Sequence, residues 1–511
     1  MDKDGNITIS NFQEGIADSP LFGFAKMQNI EIREKPGVAK IQYAPQLSFT
    51  PASLPVATIR DSYGNIYVGC EFGQFYKNGT LINTSQAIYD LKLISDATGE
   101  YVLISRQTDL AIYGPTNSIG AAFFSSWLSA SLVSSYAKPI LVGLDTSSNN
   151  TPYVYVGNGN TIGAISNFAS GVVGVAPTGT WSSAVLTLSP GHYVRCFAAL
   201  GKYLAIGTGG GASFYDAVNS KIAGFFLWDR TSTTFNLPVL FNENGVNQIL
   251  QLQNKVFLVV GTRAKIYQTD STNYTFMKRV PFNFNRQFGS SIFLYPNAIA
   301  QHLGQLLIGT SSFGDSYPSY SSQGVYGIFT DDTEYPPTYP ISLLYTPSSG
   351  GNGQSQPMKI GCVYSTSQDQ LYLGWQDGST YGFDLVGYSP YSNYLAYLET
   401  PLYTVGDELG KRTYKRIDIS LTKPLITGQK IRISYRETLQ DAYTQIGEYT
   451  STNFGTNTNY NTMANLASKV KLQFKVELTQ TTPATVYNDG MGVNTIPNIE
   501  LESITIRQGE K

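Results

Sequence analysis

The sequence predicts an all-β protein: a β-propeller of six or seven blades, with an N-terminal extended arm and a C-terminal β-sandwich of immunoglobulin-like type. Three observations carry this expectation. First, a short apolar run ending in Gly recurs along the chain, as Ile66-Tyr67-Val68-Gly69, Val154-Tyr155-Val156-Gly157, Leu204-Ala205-Ile206-Gly207, Leu258-Val259-Val260-Gly261, Leu306-Leu307-Ile308-Gly309 and Leu371-Tyr372-Leu373-Gly374. From Gly157 to Gly309 the glycines advance by 50, 54 and 48 residues, a period that suits one four-stranded blade. Second, the composition is that of strands and tight turns. Only 14% of residues are charged, while Gly (49), Tyr (36) and Phe (26) are abundant, against about a quarter charged in average domains. Third, beyond Gly406 the pattern changes to long, strictly alternating strands such as Lys471-Leu472-Gln473-Phe474-Lys475-Val476-Glu477-Leu478, as half-buried antiparallel sheets require.

The elements follow in order. Residues 1–50 read as the arm, kept irregular by Pro36 and Pro45 and carrying short strands at Asn29-Ile30-Glu31-Ile32 and Val38-Ala39-Lys40-Ile41. It is placed either against the propeller or on a neighbouring molecule. Residues 51–403 read as the propeller, since a chain of 511 residues exceeds a single core and a radial repeat absorbs the excess. Two insertions interrupt it. The one near 116–139 carries Phe123, Phe124, Trp127, Leu128 and Leu132, read first as packing under neighbouring blades and second as a partner surface. The other, near 315–340, is rich in Tyr, Ser and Pro. Residues 404–511 read as the sandwich, with strands at Arg416-Ile417-Asp418-Ile419, Lys430-Ile431-Arg432-Ile433 and Ile499-Glu500-Leu501-Glu502.

Composition narrows the chemistry. A net charge of −2 with mixed signs creates no field to hold phosphates, so a dedicated nucleic-acid binder is not expected. Cys70, Cys196 and Cys362 lie far apart without paired spacing and read as buried small hydrophobes. No run is long and apolar enough for a membrane span; the nearest, Gly120 to Leu144, is broken by seven polar positions including Lys138. The polar start, Met1-Asp2-Lys3-Asp4-Gly5-Asn6, lacks the apolar run of a secretory leader, and a chain made in the cytoplasm is expected. It also fails as a calcium loop, with Ile7 where Gly and Gln13 where Glu belong. His192 and His302 stand beside turns with no nucleophile near them, and Asp61, Asp229, Asp377 and Asp384 read as turn formers rather than paired glycosidase acids. No cofactor, no metal and no enzymatic activity are therefore expected. The candidate partner-contact residues are aromatic: Phe123, Phe124 and Trp127 in the first insertion, and Tyr317, Tyr320, Tyr388, Tyr391 and Tyr394 in Tyr-rich loops.

The stretch Phe12-Gln13-Glu14-Gly15-Ile16-Ala17-Asp18-Ser19-Pro20-Leu21, followed by Met27-Gln28-Asn29-Ile30-Glu31-Ile32 and Lys35-Pro36-Gly37, resembles the opening of tailed-bacteriophage virion propeller proteins, most of all the tail nozzle of short-tailed phages. Phe474-Lys475-Val476-Glu477-Leu478 with Thr495-Ile496-Pro497-Asn498-Ile499 looks like the closing sandwich of a phage tail protein. The resemblance implies a structural tail component located in the virion: a subunit of a ring, as a homo-hexamer, lining or closing the DNA ejection channel. It would dock other tail proteins, namely an adaptor or portal-proximal ring and fibres or spikes, and meet viral DNA only as transient cargo. The insertions here are short compared with the extra domains of some nozzles, which speaks against direct receptor binding. Two alternatives stay open: a receptor- or glycan-binding tail propeller, and a glycan-cleaving one.

Overall fold

Alternation and turn chemistry resolve into strands almost throughout. The computed structural model describes residues 6–10, 24, 26–32, 39–41, 45–134, 137–144, 152–210, 222–235, 238–252, 255–262, 264–270, 273–280, 291–313, 323–329, 339–349, 358–367, 370–386, 394–405, 411–480 and 499–508. They fall into two units. One comprises Leu47–Gly324 and Gln354–Leu385; the other comprises Met1–Gln46, Val325–Gly353 and Val386–Lys511.

The first unit is a β-propeller. Among the described residues it has seven inner strands: Pro55–Arg60, Ile88–Ser95, Ile140–Leu144, Tyr193–Leu200, Val246–Leu252, Ile299–His302 and Met358–Ser365. Each packs against the next and the seventh returns to the first, so they define blades 1 to 7 of a closed ring. In blades 1 to 5 four consecutive strands pair as an antiparallel meander. Blade 7 has three consecutive strands, Met358–Ser365, Leu371–Asp377 and Thr380–Val386, and takes its fourth from Pro45–Phe49, upstream of blade 1.

Position within a blade explains the residue pattern. Second strands are covered on both faces by neighbouring blades, so Glu100–Arg106 is buried from Tyr101 to Arg106 and carries the unalternating apolar run Tyr101-Val102-Leu103-Ile104. Outer strands such as Thr178–Thr187 have an open face and are polar. Between blades 2 and 3, Ile94, Tyr101, Leu103, Ile112, Val154 and Ile165 are each at most 1% exposed, and burying one such side chain is worth about 1.5–3 kcal/mol.

The recurring glycine belongs to this inter-blade contact. A Cβ on Gly207 would stand 2.9 Å from Val246 Cγ1, and one on Gly374 would stand 2.6 Å from Pro55 Cβ. In both cases the obstructed residue opens the inner strand of the next blade. Gly69, Gly157 and Gly309 face Ile88, Val194 and Ile360 in the same way. Blade 2 departs from the motif: Ser105 pairs beside the bulge and donates its hydroxyl to Lys138 O at 2.8 Å, just ahead of blade 3. Blade 5 departs too. Gln248 pairs with Val259, so Gly261 lies past the strand, in a turn with φ +76°.

The second unit is a β-sandwich. Its first sheet runs Ile30–Glu31, Ala39–Ile41, Glu500–Gln508, Arg412–Leu421 and Asn459–Lys469, with Ile7–Ile9 also on Glu500–Gln508. Its second contains Val325–Phe329, Ile341–Tyr345, Lys26–Gln28, Tyr394–Glu399, Lys471–Gln480, Gln429–Arg436 and Thr444–Thr450. The boundaries thus differ from the sequence reading. The short N-terminal strands are sheet members rather than a separate arm, because Ile7 and Ile9 bury their side chains beside Ile506 and Ile504. Val325–Phe329 and Ile341–Tyr345 pair as an antiparallel hairpin grouped with the second unit, and Leu343 in it sits opposite Gln28 in a parallel pair. No helix among the described residues is long and apolar enough to cross a membrane.

Candidate functional site at the propeller axis

In the first insertion the structure buries Trp127 and Leu132 and leaves Phe123, Phe124 and Leu128 half-buried. Ala122–Phe124 is the fourth strand of blade 2, with Phe124 opposite Ile112 and Phe123 opposite Tyr113. Phe123 lies 5.9 Å from the Phe75 ring and 5.6 Å from the Arg106 guanidinium, while Phe124 packs on the core between blades 2 and 3. Trp127 is 4% exposed, and its indole N–H donates to Pro177 O at 2.7 Å. Trp127 fills a gap between blades, while Phe123 and Phe124 pack against the cores on either side of blade 2 and stay half-buried. Tyr394 opens the sandwich strand Tyr394–Glu399, opposite Gln480; Tyr317, Tyr320, Tyr388 and Tyr391 lie outside the described residues.

The polar residues singled out by sequence are tied to the scaffold. His192 Nδ1 is 3.1 Å from Thr208 Oγ1, with its ring 5.1 Å from that of Phe226, and burial lowers its pKa. His302 Nδ1 is 2.9 Å from Ser365 Oγ. Asp61 accepts from the backbone N–H groups of Tyr63 and Asn65, at 3.0 and 2.7 Å, and from the Tyr67 hydroxyl at 3.0 Å. Asp229 accepts from the N–H groups of Ser232 and Thr231, which hold its carboxyl down at about 2. Asp384 is buried within Thr380–Val386. All three cysteines are buried and unpaired as disulfides, and burial pushes the Cys196 and Cys362 thiols up to about 12. Among the described residues no three His, Cys, Asp or Glu side chains converge as metal ligands.

Among the described residues, polar groups from non-adjacent blades converge at the centre of the ring. In blades 1, 2, 4, 5 and 7 the inner ladder steps over one residue near its start: Val56, Tyr89, Arg195, Asn247 and Gly361. A bulge of this kind leaves the extra residue out of the ladder. Against the inner strands of blades 1, 5 and 7 lies the 3-10 turn Pro296–Ala298, which precedes the inner strand of blade 6. The Asn297 side-chain amide donates to Val56 O of blade 1 and Tyr89 O of blade 2, both at 3.0 Å. From the other side, Gln248 of blade 5 donates to Pro296 O at 3.2 Å and accepts from Ile249 N–H at 3.0 Å. Tyr295 places its hydroxyl 3.4 Å from Glu71 Oε1, and the turn packs on the inner strand of blade 7. Blades 2 and 5 stand three places apart on a seven-membered ring, so a turn that bonds to both lies across its middle.

Charged groups around this turn are buried and shared between blades. Lys138, 1% exposed, sets its Nζ 4.2 Å from the Tyr89 ring centroid, and burial lowers its pKa to about 8. Burial, reinforced by the Glu71 carboxylate, raises the Tyr89 phenol. Asp90 accepts from Ile140 N–H at 2.8 Å and lies 3.5 Å from Lys92 Nζ, joining blade 2 to blade 3. The arrangement suits recognition of an amide. The sequence reading missed Asn297; its only local trace is a Pro-Asn turn between Ile292-Phe293-Leu294 and Ile299.

Comparison with known proteins yields no matching family model and no matching curated protein. Solved structures do match. The extracellular domain of a protein described as a one component system, from B. thetaiotaomicron, is 15% identical over 76% of this chain with a TM-score of 0.42, and this chain spans 44% of its length. A glycoside hydrolase family 43 arabinoxylan arabinofuranohydrolase from Bacillus subtilis is 12% identical, with 90% of this chain and 96% of that one covered, at a TM-score of 0.31. The Dos1 propeller is 12% identical, covering 70% of this chain and 81% of that one, at a TM-score of 0.36.

Proposed function

We propose that this chain is a structural component of a bacteriophage tail, a ring-forming nozzle or hub subunit that docks other tail proteins and carries no enzymatic activity. The observation that carries the reading is the occupied axis. Asn297 and its neighbours fill the position where propellers otherwise offer a central opening, so the work falls to outer surfaces. The resemblance of residues 12–37 and of the closing strands to tail proteins supplies the setting. In this reading DNA passes between subunits of the ring, not along a propeller axis, and the near-neutral charge keeps that passage free of salt-dependent affinity. The test is to locate the protein in purified particles by electron microscopy and to measure the mass of the assembled species. Rings of copies within the tail are expected; a stable monomer missing from particles overturns the reading.

A glycan- or receptor-binding propeller is a second reading, favoured by one feature of the rim. On the outer strands of blades 4 and 5, Phe241, Tyr267, Tyr274 and Phe276 form a continuous aromatic cluster with ring separations of 5.0–5.9 Å. Tyr274 and Phe276 are each 48% exposed, with Leu240 57% exposed beside Phe241. The ion pair of Lys265 with Glu243 lies close by. Exposed aromatic faces beside hydrogen-bonding groups are what a sugar ring stacks on. Glycan-array binding that disappears in Tyr274→Ala and Phe276→Ala is expected under this reading; absence of binding by the native chain across a broad array removes it.

A further inference from the structure

We propose that the centre of the ring is a recognition site for a primary carboxamide, and that the chain keeps it filled with its own Asn297. Val56 O and Tyr89 O come from different blades, and the ladder steps over both residues. Each lies 3.0 Å from the single amide nitrogen of Asn297. A carboxamide nitrogen presents two N–H donors at a fixed divergence. A hydroxyl presents one, a carboxylate none, and an ammonium would carry an uncompensated charge into the site.

The rest of the site fixes the turn rather than the amide. Gln248 engages both ends of its own amide, on Pro296 O and on Ile249 N–H. Ala298 is fully buried and returns its N–H to Tyr295 O at 3.0 Å. Blades 1, 2 and 5 are thereby fastened across the diameter of the ring as well as around its rim. The occupant is built into the chain 208 residues away from Tyr89 and 241 away from Val56.

Three variants of the full chain, Asn297→Asp, Asn297→Ser and Asn297→Ala, separate this proposal from simple loss of packing. Asp keeps the shape but turns a negative oxygen toward two carbonyls, so its thermal midpoint falls furthest, by about 5 °C or more. Ser stops one bond short of the two carbonyls and brings no charge, so its midpoint falls less than that of Asp. Acetamide, a free primary amide, raises the midpoint of Asn297→Ala beyond its effect on the native chain, because a ligand that binds only the folded state stabilises it by mass action. Acetate does not. An Asp variant as stable as the native chain overturns the proposal, and so does an Ala variant whose response to acetamide equals that of the native chain. Should the Ala variant not fold, the ranking of Asp against Ser still decides, since equal or reversed effects contradict the two-donor geometry.

Discussion

A glycine in a strand normally weakens it, since it has no side chain to pack and more backbone freedom to lose. At Gly374 that weakness is the lesser cost. A Cβ there would meet Cys362 Sγ and Pro55 Cβ at 2.6 Å and Pro55 O at 2.9 Å, so any side chain would force blades 7 and 1 apart. Gly374→Val is expected to destabilise the propeller by about 3 kcal/mol, the upper range for overpacking. Gly143→Ala is the matched control. Its Cβ would meet nothing within 4 Å, and the change is expected to be neutral or to stabilise by about 0.5–1 kcal/mol. Urea denaturation of both variants checks the pair, and equal effects at the two glycines refute the inter-blade account.

Elements were legible from sequence to the extent that their causes are local. The apolar run before Gly207 announces a strand covered on both faces, and the alternation of Lys471–Gln480 announces a half-covered one; both pair as expected. The segment 116–139 was harder, because Phe123, Phe124 and Trp127 look alike in sequence whether displayed or buried. What decides is the space left beside Ala122–Phe124, and that space is made by residues near Phe75 and Phe168. Ile7–Ile9 and Ile30–Glu31 are too short to reveal a partner, which lies at Glu500–Gln508 for one and Ala39–Ile41 for the other. Asn297 was not legible at all. Its bonds reach carbonyl groups that any residue possesses, so no residue pattern marks them.

At the scale of the whole propeller, a ring of blades must be held where its two ends meet, and here the joint is non-covalent. The strand Pro45–Phe49 enters blade 7 as its outermost member before the chain begins blade 1. Phe49 sits over the seam, its ring 5.3 Å from Tyr76 of blade 1 and 5.3 Å from Phe383 of blade 7. Arg60 adds to the same seam, donating its N–H to the Tyr364 hydroxyl at 3.1 Å and its guanidinium to Gln370 Oε1 at 3.2 Å. Because Phe49 is partly exposed, its truncation costs less than a core aromatic, about 1–3 kcal/mol. The location of the loss is the sharper readout. Opening the seam frees both flanking blades together, so Phe49→Ala is expected to speed amide hydrogen exchange in Ile66–Lys77 and in Thr380–Val386 alike, with little change in blades 3 and 4. If exchange quickens only within Pro45–Phe49, the strand is an ornament on blade 7 and the ring is held by its inner strands and by the Asn297 turn alone.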